Sequence, residues 1–220
     1  MPPLASLLFY RDPEPRSAAM NMAIDEALLD QTTVPSLRCY QWRRRALSFG
    51  YFGRYAGLAE HEKEREIVRR WTGGGIVLHG NDLTYSVVIP SATVECIASS
   101  RIIYEQIHDA IRRSIPDETS VALATEDAPK VSEACFANFV RADVLVHGRK
   151  IAGAAQRRTR VGLLHQGSIQ YEALPAAFLD AFASALCCDW RPAVFRPKLL
   201  ERAQRLAEIK YGTAAWLRRR

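Results

Sequence analysis

The sequence predicts an α+β fold in one domain, and three observations carry that prediction. Short β-type segments come in blocks joined by turns, several of them hairpin-like. Helical segments with one apolar stripe stand between those blocks instead of following every strand. No internal repeat, low-complexity stretch or linker interrupts the 220 residues, a length that suits one ordinary domain with a real core.

The elements follow in order. Ser17 is placed to cap a helix from Ala18 to Leu29, where Met20, Ala23, Ile24, Ala27 and Leu28 recur at helical spacing and Asp25 and Glu26 fall on the other side. Two short strands come next, Leu37 to Trp42 and Ala46 to Tyr51, joined by Arg43, Arg44 and Arg45. A polar helix is expected from about Leu58 to Glu66, and then a strand from Ile67 to Arg70 leads into three glycines. Beyond them Ile76 to His79 and Leu83 to Ile89 read as strands, with Gly80-Asn81-Asp82 as the turn and Pro90 as the stop. A helix from about Ser99 to Ser114 carries the stripe Ile102, Ile103, Ile107, Ala110 and Ile111. Asp117 to Glu133 reads as irregular surface chain. Strands are then expected at about Phe139 to Val146, Arg149 to Ala155 and Gly162 to Gln170, with His147-Gly148 as a tight turn. Helices near Pro175 to Leu186 and Lys198 to Tyr211 close the chain.

Composition narrows the function classes. The chain is 48% hydrophobic and 25% charged, outside the disordered range. No apolar run approaches the roughly 20 residues that span a bilayer, and Met1 to Tyr10 lacks the basic leader of a secretory signal, so a cytoplasmic protein without a membrane partner is expected. Cys39, Cys96, Cys135, Cys187 and Cys188 are odd in number and lack paired spacing, which argues against a disulfide framework. The adjacent Cys187 and Cys188 end an apolar helical run and read as core or near-core thiols. No ligand spacing points to a metal. The net charge of +6 is scattered or terminal and comes without a nucleic-acid-binding pattern. A solvated basic face, or an acidic carrier protein as partner, fits it better than nucleic acid.

Three places offer chemistry. Gly73, Gly74 and Gly75 between two strands are costly in backbone entropy, so either a sheet corner or a ligand must need them. Neither a P-loop nor a dinucleotide fingerprint fits the spacing. Lys150 begins a strand whose simple alternation puts it with Ala152, Ala154 and Gln156, opposite Ile151, Gly153 and Ala155. The small residues Gly153, Ala154 and Ala155 make a poor strand unless something packs closely on them, and that lifts Lys150 above the default of a solvated lysine. Cys135 lies in a loop ahead of this strand, either an inert thiol or a nucleophile if a cation meets it. Lys150 sits near the hairpin turn and Cys135 beyond the far end, so the loop must fold back for the two to meet. His79 and His165 are candidate bases, though a strand histidine is more often structural.

These residues resemble the lipoate branch of the biotin/lipoate protein ligase and octanoyltransferase superfamily. The resemblance runs through Asn21 to Leu29, Leu47 to Phe52, Arg69 to His79, Asp82 to Ser86, Gly148 to Arg158 and Leu164 to Ile169. It implies a mixed, largely antiparallel β-sheet flanked by helices, with the acyl chain in a channel between the glycine turn and the lysine strand. It implies one catalytic domain over residues 1–220 with no C-terminal accessory domain. The implied substrate-binding residues are Arg70, Thr72, Gly73, Gly74, Gly75, His79, Gly153, Ala154, Gln156, His165 and Gly167.

Within the superfamily, Cys135-Phe136 looks like the nucleophile pair of one octanoyltransferase type. The resemblance then implies that Cys135 takes octanoate from octanoyl-acyl-carrier protein as a thioester and that Lys150 polarises the carbonyl and favours the thiolate. Backbone N–H groups of the glycine turn are available to an oxyanion. The acceptor is a lysine of a lipoyl domain or of a glycine-cleavage H protein, and no cofactor or metal is required. An ATP- and Mg²⁺-dependent lipoate–protein ligase and a non-catalytic lipoyl-domain binder are the alternatives.

Overall fold

Ser17 holds an extended backbone and its hydroxyl accepts the Met20 N–H, which starts helix α1 (Ala18–Gln31) as the sequence requires. Ser99 does the same for helix α3 (Ser100–Arg113) through the Ile102 N–H. These features belong to a computed structural model that describes residues 2–94, 99–116, 120–129, 136 and 138–219.

Among the described residues, eleven strands form two sheets. They are β1 (Leu7–Arg11), β2 (Ser36–Tyr40), β3 (Ala46–Phe49), β4 (Glu66–Arg69), β5 (Val77–His79) and β6 (Leu83–Pro90), then β7 (Val121–Leu123), β8 (Val144–Val146), β9 (Arg149–Arg158), β10 (Gly162–Ile169) and β11 (Trp190–Pro192). The large sheet has the order β11-β1-β2-β6-β10-β9-β8-β7, with parallel pairing where β1 meets β2 and β11 and antiparallel pairing elsewhere. The small sheet is β4-β3-β5. The remaining helices are α2 (Ser91–Val94), α4 (Phe178–Leu186), α5 (Pro197–Leu206) and α6 (Ala214–Leu217). A 3-10 helix covers Ala56–Lys63 and a π-type turn Ala207–Tyr211.

The predicted mixed, largely antiparallel sheet is present, but two expected neighbours in sequence are not neighbours in space. β2 and β3, like β5 and β6, lie in different sheets. The Arg43–Arg45 and Gly80–Asp82 segments are therefore corners that carry the chain from one sheet to the other, and a space opens between the sheets. By contrast His147 and Gly148 form the tight turn expected of them, both with positive φ (49° and 76°) as a two-residue hairpin turn demands.

Each face of the large sheet has its own core. Leu37, Tyr85, Val87, Leu163 and Ile169 pack with Ile103, Ile107 and Ile111 of α3 and with Phe178 and Phe182 of α4. Tyr40, Val88 and Leu164 pack with α1 and with Leu199, Ala203 and Leu206 of α5. Three expectations are corrected by this packing. Ile102 leaves the α3 stripe and is 42% exposed. Asp25 and Glu26 are buried, because α1 is enclosed by the sheet and α5 and its acids have partners. The segment read as irregular contains β7, an edge strand too short to show alternation. Cys187 is buried as expected, whereas Cys188 is exposed.

Candidate functional site

A narrow cleft of about 30 Å³ lies between the sheets. Met22, Tyr40 and Trp42 line one part, the glycine turn and Arg70 another, and Gly153, Ala154 and Ala155 of β9 the facing wall.

The glycine turn connects β4 to β5 and is organised from within by Arg70. Its guanidinium donates to the carbonyls of Gly73 (3.1 Å) and Gly75 (2.8 Å) and to Ser48 Oγ (2.6 Å). Gly74 has φ 86°, a left-handed conformation that suits glycine. The turn also rests on Gly50, where a Cβ would fall 2.7 Å from the Gly73 carbonyl carbon. Thr72 ties the turn to the large sheet by donating to Gln166 Oε1 (2.8 Å), while Gln166 Nε2 donates to Asp25 (2.7 Å).

Ser48, His79 and Asp82 form a buried chain at the side of this cleft. Ser48 Oγ is 2.6 Å from His79 Nε2, and His79 Nδ1 is 2.7 Å from Asp82. Arg70 can only donate to Ser48, so the serine proton goes to His79 Nε2 and the histidine proton sits on Nδ1 facing Asp82. Burial lowers the His79 pKa in spite of Asp82, which leaves the ring neutral. Burial works to raise the Asp82 pKa, yet hydrogen bonds from His79, Ser168 and the Gly80 N–H hold it at about 2. Trp42 stacks on His79 at 4.1 Å and donates to Thr84. The histidine thus fixes Ser48 and, through it, Arg70 and the glycine turn.

A β-bulge brings Lys150 beside Gly153 of the cleft wall. Val144 pairs with Ala152 while Leu145 pairs with Lys150, so Ile151 is the extra residue and parity reverses there. The alternation expected from sequence is corrected: Ile151 and Ala152 both pack into the α3 core, and Lys150 shares a side with Gly153. A Cβ at 153 would collide with the Lys150 side chain, so the glycine makes room for the lysine. Lys150 is buried, with Nζ 2.7 Å from Asp143 and 3.3 Å from the Asn138 carbonyl. Asp143 is fully buried and also accepts from Tyr104 Oη (2.6 Å) and the Val140 N–H (2.8 Å). The Phe136 ring lies 5.4 Å from Lys150 Nζ. Cys135 lies outside the described residues, as does Cys96.

The expected binding residues divide into three groups. Arg70, Gly74, His79, Gly153, Ala154 and Gly167 line the cleft together. Thr72, Gly73 and Gly75 frame the turn behind it. Gln156 and His165 do not join them: they pair with each other at 3.1 Å on the opposite side of the sheet, where His165 Nε2 meets Tyr85 Oη at 3.1 Å. Parity along β10 is the reason, since Leu164, Gln166 and Ser168 take the cleft side. Asp25, Ser48, Asp82, Asp143 and Gln166 were not anticipated. No group of metal-binding side chains occurs among the described residues.

On that opposite side, His108 donates from Nδ1 to the Ala142 carbonyl (2.7 Å), and burial lowers its pKa to about 4. Burial also lowers His165 well below the usual value. The unfolded chain therefore binds protons that the folded chain refuses, and stability falls as pH drops below about 6.5. His108 alone is expected to cost about 2 kcal/mol between pH 7.5 and 5. Urea unfolding at the two pH values measures it, and His108→Leu should lose that share of the slope. Equal stability at both pH values would contradict the assignment of neutral buried histidines.

With this geometry in place, the relatives are informative. The model of the lipoyl protein ligase A/B catalytic domain matches residues 17–188. Octanoyltransferase LipM of Exiguobacterium sp. (strain ATCC BAA-1283 / AT1b) is 37% identical over 192 residues, covering 77% of this chain and 68% of its own. LipM of Exiguobacterium sibiricum is 30% identical over 259 residues, covering 90% and 93%. In fold, protein Ta0514 of T. acidophilum superposes with a TM-score of 0.77 at 21% identity, over 97% of this chain and 98% of its own. A structure of lipoate-protein ligase A bound with ATP gives 0.74 at 21% identity with the same coverage. The fold is that of a lipoyl-ligase-type catalytic domain. The chain belongs to the lipoyl protein ligase A/B catalytic-domain family.

Proposed function

We propose that this chain is an octanoyltransferase of lipoate biosynthesis, moving octanoate from acyl-carrier protein through a thioester on Cys135 to a lysine of a lipoyl domain or glycine-cleavage H protein. Curated LipM relatives at 30–37% identity support the activity. The observation that carries the route is Lys150, buried against Asp143 beside Gly153 of the cleft wall, with Phe136, the residue that follows Cys135, 5.4 Å from its ammonium.

The chemistry needs two displacements. The Cys135 thiolate attacks the carbonyl of the octanoyl thioester, the tetrahedral oxyanion collapses, and the carrier thiol leaves with a proton. The acceptor lysine then attacks the enzyme thioester as a free amine, an amide forms, and Cys135 is released as a thiol. In both displacements Lys150 supplies positive charge to the oxyanion, and in the first it favours the thiolate. Asp143 and Tyr104 fix its position. The acyl chain enters the cleft between the glycine turn and β9, where Ala154 and Ala155 present little side-chain bulk. The donor is already an activated thioester, so the reaction uses neither ATP nor a metal. We place the protein in the cytoplasm, in keeping with the free thiols Cys39, Cys187 and Cys188. No helix among the described residues is long and apolar enough to cross a membrane.

The test is octanoyl transfer to a lipoyl domain with and without ATP and Mg²⁺, in the native protein and in Cys135→Ser. ATP-independent transfer lost in the variant is the expected result. ATP-dependent activity retained in Cys135→Ser would replace this reading with a lipoate–protein ligase.

A further inference from the structure

A second cleft, of about 400 Å³, opens beside the first. His79 belongs to the walls of both, so the two clefts adjoin. Arg45, Arg65 and Arg149 line the second cleft, with Glu172 as the one carboxylate not already consumed, since Asp82 accepts from His79, Thr84, Ser168 and the Gly80 N–H. Arg65 donates to the carbonyls of Ala46 (3.3 Å) and His79 (2.9 Å), which orient it without neutralising it. Arg45 and Arg149 are exposed and form no ion pair among the described residues. The three guanidinia come from separate parts of the fold, the corner after β2, the approach to β4 and the start of β9. Their charges repel, and the fold brings them together without a matching set of acids.

Position adds to charge. Arg149 immediately precedes Lys150, and adjacent Cα atoms are about 3.8 Å apart, so the basic cleft starts next to the lysine that meets the acyl carbonyl. A thioester donor carried on a long arm must lay that arm across the surface beside Lys150. In a carrier protein the arm is joined through a phosphodiester, an anion for which arginine is the preferred partner.

We propose that the cleft of Arg45, Arg65 and Arg149 binds the phosphate of the acyl donor's phosphopantetheine arm and so selects carrier-bound octanoate over free thioesters. This rests on the octanoyltransferase reading above. Arg45 and Arg149 supply the contact, and Arg65, held by backbone carbonyls, supplies field. Raised salt weakens donor recognition, because an exposed phosphate contact is screened.

The experiment uses the full chain and Arg45→Glu/Arg149→Glu, residues outside the acyl cleft. Octanoyl-4′-phosphopantetheine and octanoyl-N-acetylcysteamine serve as donors with and without phosphate. The variant is expected to raise KM for the phosphate-bearing donor about tenfold or more, leave kcat unchanged, and leave the phosphate-free donor unaffected. An equal loss for both donors, or a rise confined to the KM of the lipoyl-domain acceptor, would overturn the proposal. Equilibrium binding of 4′-phosphopantetheine against pantetheine reads the cleft without turnover, which keeps failure of the transferase reading separate. Tighter binding of the phosphorylated arm, lost in the variant, supports the assignment, and equal binding of the two arms refutes it.

Discussion

Lys150→Met is expected to abolish transfer and to destabilise the fold, and the two losses come apart in a double variant. The Asp143 carboxylate is fully buried, and Lys150 is its cation at 2.7 Å. Removing one partner of a buried pair leaves an uncompensated charge, a cost of about 3–5 kcal/mol. Neutralising the other partner removes most of that cost; Lys150→Met/Asp143→Asn keeps an oxygen acceptor for Tyr104 and gives up the one that takes the Val140 N–H. The double variant should regain most of its stability in urea and none of its activity. Loss of a charged group at the oxyanion is expected to lower transfer by about 10²–10³-fold in both variants. Recovery of activity together with stability would reduce Lys150 to a structural residue.

The other large effect is structural and lies behind the cleft. Arg38 is completely buried in β2 and donates to Asp12 (2.8 Å), Asp25 (2.8 Å), and both the side-chain (2.7 Å) and backbone (3.0 Å) oxygens of Asn21. Burial works against its charge, but Asp25 and Asp12 outweigh burial and raise its pKa. Arg38→Met strips Asp25 of its cation, whereas Asp12 keeps Arg16 at 2.9 Å. The expected cost is again about 3–5 kcal/mol, a large part of the roughly 5–15 kcal/mol that holds a domain together. Arg38→Lys restores charge but not the planar fork that spans three partners, and should recover only part of the loss. Thermal unfolding of the two variants measures this. The damage should reach the site, because Asp25 holds Gln166 and Gln166 holds Thr72 of the glycine turn. Wild-type stability in Arg38→Met would show that the network is dispensable.

These two cases show where the sequence was readable. Local devices were plain: the Ser17 cap, the His147-Gly148 turn, most of the apolar stripe of α3 and the glycine run before β5 each follow from short-range chemistry. Buried charges were not, since Asp25 and Arg38 look like surface residues until their partners are known. A weak signal existed at Arg38, which stands between the apolar residues Leu37 and Cys39. Long-range pairing was equally hidden. Nothing local says that the arginine corner at 43–45 sends β3 into a second sheet, and without that crossing there is no cleft.

Strand parity explains the errors in the candidate site. Simple alternation placed Lys150 with Ala152, and one extra residue at Ile151 reversed it. In β10, His165 was singled out, but its neighbour Gln166 takes the cleft side. The signal missed was that Gln166 and Ser168 make a polar pair on one face, which matches Ser86 and Thr84 across β6 in the observed register. The glycine turn and Lys150 were singled out because three glycines and a run of small residues required a reason, whereas the binding roles of His79 and Gly153 came from the family resemblance.

The central claim is a covalent octanoyl intermediate on Cys135. Intact mass after incubation with octanoyl-acyl-carrier protein, without ATP, tests it most directly, with Cys135→Ser in parallel. The account predicts a gain of one octanoyl group, labile to hydroxylamine and absent from the variant. No gain in the native protein, or the same gain in Cys135→Ser, would contradict it.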